Sequence, residues 1–268
     1  MNSMIKYFGG KNGMFNEILS RFPEKGSYDT YLEPFGGSFA IGFHTPEDLI
    51  APIEIYNDLE DNVWSLFNVL SDEDKFKRFK ERCDLVPYGE KFRAEFKELL
   101  KCEDISLEDR AFYFFYVNRS SHNGMGGFSM NHTVIRRNMA KSVSDFLSTV
   151  DRLADIHQRL SRVVVLHRDG INLMAEFNKA TAFMYCDPPY DQTTRTRARY
   201  KVDMDMDKQN EFIDACLDSK AKLLISGYDS DVYDRLTRGG FEKIQFEVKT
   251  TSGAHEKKTK VETLWKNY

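Results

Sequence analysis

Apolar runs without polar alternation recur along this chain. "YLEPF" (Tyr31–Phe35) and "IEIYN" (Ile53–Asn57) lie near the start, and "VVVLH" (Val163–His167), "AFMYC" (Ala182–Cys186) and "AKLLISG" (Ala221–Gly227) in the second half. Such runs predict strands covered on both faces, because a strand with one wet face alternates in polarity. Helical spacing falls between them, in "NVWSLFNVL" (Asn62–Leu70), "NLMAEFN" (Asn172–Asn178), "DKQNEFIDACLDS" (Asp207–Ser219) and "DVYDRL" (Asp231–Leu236). "FEKIQFEV" (Phe241–Val248) and "TKVETLWKNY" (Thr259–Tyr268) predict a terminal hairpin. Strands alternating with helices predict an α/β fold, a mostly parallel sheet flanked by helices, here with an antiparallel edge.

The alternation breaks between about Ser71 and Arg162. Residues Ser71 to Glu103 are dense in Lys, Glu and Phe and predict amphipathic helices. "LEDRAFYFFYVNR" (Leu107–Arg119) predicts a largely buried helix, and "SVSDFLSTVDRLADIHQRL" (Ser142–Leu160) one helix with a serine cap. Between those two lies "SSHNGMGGFSMNHT" (Ser120–Thr133), too polar for core and too long for a simple turn. The expected organisation is a sheet domain of residues 1–70 and 162–268, with a helical lobe of residues 71–161 inserted in it.

Composition changes this picture little. At 268 residues with 41% hydrophobic and 30% charged positions, the chain can bury a core and does not read as disordered. Its four cysteines have no CxxC or zinc spacing, so idle thiols in a reducing cytoplasm are expected, with no metal. No window is apolar enough for a membrane span, and "MNSMIKYFGGK" has no signal-peptide apolar region. The net charge of −4 does not announce a nucleic-acid binder. Local balance says more, since "TTRTRARYK" (Thr193–Lys201) and "VIRRNMAK" (Val134–Lys141) are concentrated positive stretches.

The candidate chemistry sits at strand ends. Glu33, Asp58 and Asp187 follow apolar runs and Asp169 comes soon after another, so a parallel sheet would line all four along one rim. Ligands of such sheets bind beyond the carboxyl ends of the strands. "EPFGGSF" is a tight strand-to-helix turn whose glycines permit close backbone approach, and it differs from the dinucleotide fingerprint GxGxxG. Asp187-Pro188-Pro189-Tyr190 is the sharpest feature; at average residue usage its chance occurrence in this chain is about 0.2%. A carboxylate only accepts hydrogen bonds, and proline removes an N–H while stiffening the backbone. With a tyrosine ring beside them, these residues suit a planar group that carries an NH2.

Asp-Pro-Pro-Tyr at this strand end resembles the catalytic motif of DNA amino-methyltransferases. "IKYFGGK" (Ile5–Lys11), "YLEPFGGSFAIGF", "IYNDLEDNVWSLF", "VVVLHRDG", "LLISGY" and "KVETLWKNY" are similar, in this order, to the motifs of the Dam-like adenine-N6 group. The order, cofactor motifs before recognition insertion before catalytic motif, is its alpha arrangement. The resemblance implies a Rossmann-like sheet, S-adenosyl-L-methionine as cofactor and methyl transfer to adenine N6 in double-stranded DNA. Residue by residue, it implies cofactor contacts at Tyr7, Lys11, Glu33, Phe35, Gly36, Gly37, Asp58, Asp169 and Asp187. It implies a catalytic clamp of Asp187, Pro188, Pro189 and Tyr190 that receives the target base flipped out of the duplex.

"VNRSSHNGMGGFSMN" partly resembles the start of the Dam recognition segment. "HTVIRRNMAKSVSDFLSTV" instead resembles phage and prophage relatives rather than the GATC-methylating enzymes. Arg119, Asn123, Arg136 and Arg137 are expected near DNA, and Arg195, Arg197 and Arg199 on phosphates beside the flipped base. A cognate restriction endonuclease is a further expected partner, and the cytoplasm the expected compartment. Two readings compete: the same clamp acting on cytosine N4 or RNA, and a silent DNA-binding protein that retains the fold.

Overall fold

The computed structural model describes residues 4–6, 13–124, 126–131, 133–189, 204–227, 229–249 and 259–268, with backbone alone at 123, 249, 259 and 260. In chain order the elements are α1 (Phe15–Leu19), β1 (Thr30–Glu33), α2 (Ala40–His44), β2 (Ile53–Asn57), α3 (Asp61–Ser71), α4 (Glu73–Leu85), α5 (Glu90–Leu99) and α6 (Leu107–Ser120). Then come β3 (Ile135–Arg136), β4 (Met139–Ala140), α7 (Lys141–Asp151), α8 (Leu153–Leu160), β5 (Val163–Leu166), α9 (Gly170–Glu176) and β6 (Ala182–Cys186). The chain closes with α10 (Met206–Leu217), β7 (Lys222–Gly227), α11 (Asp234–Arg238), β8 (Glu242–Lys249) and β9 (Thr259–Lys266). The chain divides into two compact units, residues 1–10 with 60–165 and residues 11–59 with 166–268.

The large sheet has the order β5-β2-β1-β6-β7-β9-β8. β1 runs parallel to β2 and to β6, and β6 parallel to β7. β9 is antiparallel to β7 and β8, which makes the predicted mixed edge. β1 and β6 are buried at every position, as continuous apolar runs in a covered parallel sheet must be. Trp265, Tyr31 and Phe183, each at most 2% exposed, anchor the core around them.

In the other unit α6 buries Phe112, Phe115 and Tyr116 against Phe79 of α4, Phe96 of α5 and Phe146 of α7, with ring centroids 5.0–6.1 Å apart. Such offset and edge-on aromatic pairs add roughly 0.5–1.5 kcal/mol each beyond the area they bury. Local caps set the helix starts: Asp72 accepts from Lys75 N and Ser106 from Asp109 N.

Three features differ from the sequence reading. Residues 142–160 form two helices, α7 and α8, divided at Arg152. The apolar period runs through the break because Val150 and Leu153 are buried on either side of it. The helix start carries no serine cap, because α7 begins directly from strand β4 with Ala140 at its N-cap. The strand predicted as "YLEPF" ends at Glu33, where the chain turns.

Candidate active site

Strand register fixes which residues share the rim. Glu33 pairs with Tyr56, which places Asp58 two residues beyond that pair, and Leu32 pairs with Met184, which places Asp187 three residues beyond. The adjacent parallel strands β2, β1 and β6 therefore present Asp58, Glu33 and Asp187 along one carboxyl edge.

The turn after β1 is held from both sides. Gly36 N donates to Asn57 O (2.8 Å), Gly37 N to Asp58 Oδ2 (2.7 Å) and Tyr56 Oη to Gly37 O (2.9 Å). A Cβ at Gly36 would stand 2.3 Å from the Tyr56 ring, so only glycine lets the turn lie this close to β2. Gly37 and Phe39 both have positive φ, at 49° and 51°. For Phe39 that conformation costs about 1 kcal/mol. Its ring holds it there, packing edge-on against Phe43 and Tyr56 with centroids 5.3 Å away.

Glu33 is 3% exposed, and its Oε1 accepts from Tyr31 Oη (2.7 Å) and Gly42 N (2.9 Å). It thereby serves an amide in the first turn of α2, whose N-cap Phe39 has no side-chain acceptor to offer. Burial, then the Glu33 charge, push the Tyr31 phenol well above its ordinary range, so it stays a donor.

Asn57 closes the next gap. It is fully buried; its Nδ2 donates to Pro34 O (2.8 Å) and Arg168 O (2.9 Å), and its Oδ1 accepts from Arg168 N (2.9 Å). These bonds tie the chain leaving β1 to the chain leaving β5. Asp169 caps α9 through Asn172 N (3.0 Å), with Lys208 Nζ 3.8 Å from its other oxygen. Phe35 lies over Gly170, where a Cβ would be 2.5 Å from its ring.

β6 delivers Asp187 half-buried at the rim. Its Oδ1 accepts from Ser226 Oγ (2.7 Å), and that hydroxyl accepts from Tyr185 Oη (3.1 Å). Pro188 is buried. The Pro189 carbonyl accepts from the buried Gln209 Nε2 (2.7 Å), so α10 steadies the proline pair. Burial and then the Asp187 charge push the Cys186 thiol up, which leaves it neutral beside the site. The four cysteines are free, as the sequence suggested. Sequence reading missed Asn57, Ser226 and Gln209; the one signal for the first two is a polar side chain inside an apolar run.

In the helical unit Arg119 is half-buried. Burial, then repulsion from Arg152, bring its guanidinium down to about 10. Arg136 and Arg137 are exposed on the β3–β4 hairpin and pair with Asp145 (3.3 Å) and Asp151 (3.2 Å) of α7. Asn123 lies in the 3-10 turn His122–Gly124. Tyr7, Lys11, Tyr190, Arg195, Arg197 and Arg199 lie outside the described residues.

Lys6 ties the segment before Tyr7 to the end of α6. Its Nζ donates to the Arg119 and Ser121 carbonyls (3.0 and 2.8 Å), and its backbone exchanges two hydrogen bonds with the Asn118 side chain (2.8 and 3.0 Å). Burial, then Arg119, lower its ammonium to about 8 from 10.5. Below pH 8 both folded and unfolded chains hold the proton. Between pH 8 and 10.5 the unfolded chain holds more, so Lys6 adds stability as pH rises through that window. Denaturant titrations are expected to shift the difference between wild type and Lys6→Met towards wild type from pH 8 to pH 10; a flat difference overturns this.

Among the described residues no helix is long and apolar enough to cross a membrane, and no group of three His, Cys, Asp or Glu could hold a metal. In comparison with known proteins, the family described as D12 class N6 adenine-specific DNA methyltransferase matches residues 7–252. The Type II methyltransferase M.MjaIII of Methanocaldococcus jannaschii is 23% identical over 263 residues, covering 88% of this chain and 87% of that protein.

Proposed function

The chain belongs to the D12 class N6 adenine-specific DNA methyltransferase family, and from that premise we propose that it transfers the methyl of S-adenosyl-L-methionine to an adenine flipped out of double-stranded DNA. The observation that carries this reading is Asp187, half-buried at the carboxyl end of β6 and held there by Ser226.

The residues fit such a donor. Glu33 and the Gly36–Gly37 turn cradle its methionine portion, with Glu33 also accepting from the Gly42 amide of α2. Asp58, at the end of β2, suits the ribose hydroxyls, because a carboxylate only accepts hydrogen bonds and a hydroxyl donates one. Phe35 and Asp169 flank the place for its adenine, and Tyr7, Lys11 and Asp187 complete its contacts. When bound, S-adenosyl-L-methionine supplies a methyl group on a positively charged sulfur.

The chain's own work is on the target base. The N6 lone pair of adenine is delocalised into the ring and is a poor nucleophile. Asp187 and the Pro188 carbonyl accept the two amino protons, which favours a pyramidal nitrogen with its lone pair localised. Gln209 keeps the Pro189 carbonyl engaged and the clamp in place. Most of the rate enhancement comes from this positioning and electrostatics. Tyr190 stacks on the flipped base, replacing roughly 1–3 kcal/mol of lost stacking.

Residues 71–161 read the sequence and residues 1–70 with 162–268 carry the chemistry. Phosphates draw Arg136 and Arg137 from Asp145 and Asp151, while Arg119, Asn123, Arg195, Arg197 and Arg199 complete the DNA contact. A cognate restriction endonuclease acts on the same site in the cytoplasm.

Incubation with tritiated S-adenosyl-L-methionine and duplex DNA tests the reading. Label is expected in N6-methyladenine; label in N4-methylcytosine, or only in RNA, overturns it.

A further inference from the structure

We propose that Ser226 and Tyr185 form a hydrogen-bond relay that orients the Asp187 carboxylate towards the target amine, making both positioning residues for methyl transfer. The inference rests on the reading of Asp187 as an acceptor of amino protons and adds what aims it.

The relay follows from strand register. β6 and β7 are parallel, with Cys186 opposite Ile225. The next pair along is Asp187 and Ser226, whose side chains project to the same face because facing residues of paired strands share a side. Tyr185 lies next to Ile225's neighbour Leu224 in register, and its phenol reaches Ser226 across the strands. Tyr185 and Ser226 are each 2% exposed, so water does not compete for these groups.

Hydroxyl chemistry sets the direction. A serine hydroxyl has one proton and two lone pairs. Tyr185 Oη donates to Ser226 Oγ at 3.1 Å, and Ser226 Oγ donates to Asp187 Oδ1 at 2.7 Å. With its lone pair engaged by the phenol, the serine proton points at the carboxylate. A bond to a charged acceptor is shorter and about twice as strong as a neutral one, and the two distances follow that order. One carboxylate oxygen is thus pinned, which fixes the plane of the other. Asp187 is half-buried and follows the last strand residue, so the bond from the buried Ser226 adds to what holds its rotamer. Misplacing a reacting contact by about 1 Å can cost 100-fold in rate.

The test compares wild type, Ser226→Ala, Ser226→Thr, Tyr185→Phe and the Ser226→Ala/Tyr185→Phe double variant. Single-turnover transfer from tritiated S-adenosyl-L-methionine is read on duplex DNA that the wild type labels, with dissociation constants for cofactor and DNA measured alongside. Ser226→Ala is expected to slow transfer roughly 10- to 100-fold with both dissociation constants within about threefold of wild type. Ser226→Thr restores most of the rate, because it keeps the hydroxyl. Tyr185→Phe, which removes an oxygen one hydrogen bond behind the serine, slows transfer less, and the double variant is no slower than Ser226→Ala, because the phenol acts through the serine. An unchanged rate in Ser226→Ala, or a loss that tracks cofactor affinity, overturns the relay, as does full additivity in the double variant. A wild type that labels no N6-methyladenine overturns the proposed function instead, so the two failures are distinct.

Discussion

Asp187→Ala is expected to reduce methyl transfer by roughly 10³-fold or more while cofactor binding remains measurable. In the proposed clamp the carboxylate is the charged acceptor, and no described neighbour stands ready to replace it: Ser226 points its donor towards it, Tyr185 donates to Ser226, and the Pro189 carbonyl is taken by Gln209. Truncation leaves the Ser226 hydroxyl without its acceptor at a nearly dry position, costing about 1–3 kcal/mol of stability. Asp187→Asn sharpens the result. An amide must turn its NH2 either to the serine or to the target amine, so one accepting oxygen is lost and the charge with it. Single-turnover kinetics with calorimetry of cofactor binding separate the two effects. Turnover within about tenfold of wild type in Asp187→Ala would mean that the clamp lies elsewhere.

The strands that build this rim were legible because a covered parallel strand has no polar face to disguise it. "IEIYN" and "AFMYC" match β2 and β6 residue for residue. The break at Arg152 was not legible, since both helices bury the same side and the apolar period passes through it. The β3–β4 hairpin was hidden for a different reason. Its turn places Arg137 and Asn138 at positive φ, 54° and 59°, without the glycine that usually marks such a turn. The acids at the strand ends could be named from spacing alone. Their partners could not: Ser226 lies 39 residues from Asp187, Gln209 20 from Pro189, and Arg168 111 from Asn57. Only the strand order and register bring these pairs together. The same register explains why Glu33, one more acid in the sequence, turns inward to serve Tyr31 and Gly42.

Asp58→Ala is expected to raise the KM for cofactor roughly 10- to 100-fold, with a smaller change in kcat and none in DNA affinity. Two interactions disappear together. On the proposed cofactor site the ribose hydroxyls lose a charged acceptor, and hydrogen bonds to charged groups contribute about 1.5–3 kcal/mol, which is one to two decades in affinity. The Gly37 amide also loses Oδ2, its acceptor at 2.7 Å, so the turn loses one of its ties to β2. The Gly36 N–Asn57 O and Tyr56 Oη–Gly37 O bonds remain, and they keep the turn in place rather than letting it unfold. Asp58→Asn separates the two contributions. It retains an acceptor for Gly37 and the shape of the side chain but removes the charge, so its KM is expected between wild type and Asp58→Ala. Equal values for the two variants would assign the whole effect to charge. An effect confined to DNA affinity would remove Asp58 from the cofactor site, because a residue that holds the ribose acts on cofactor KM before it acts on anything else.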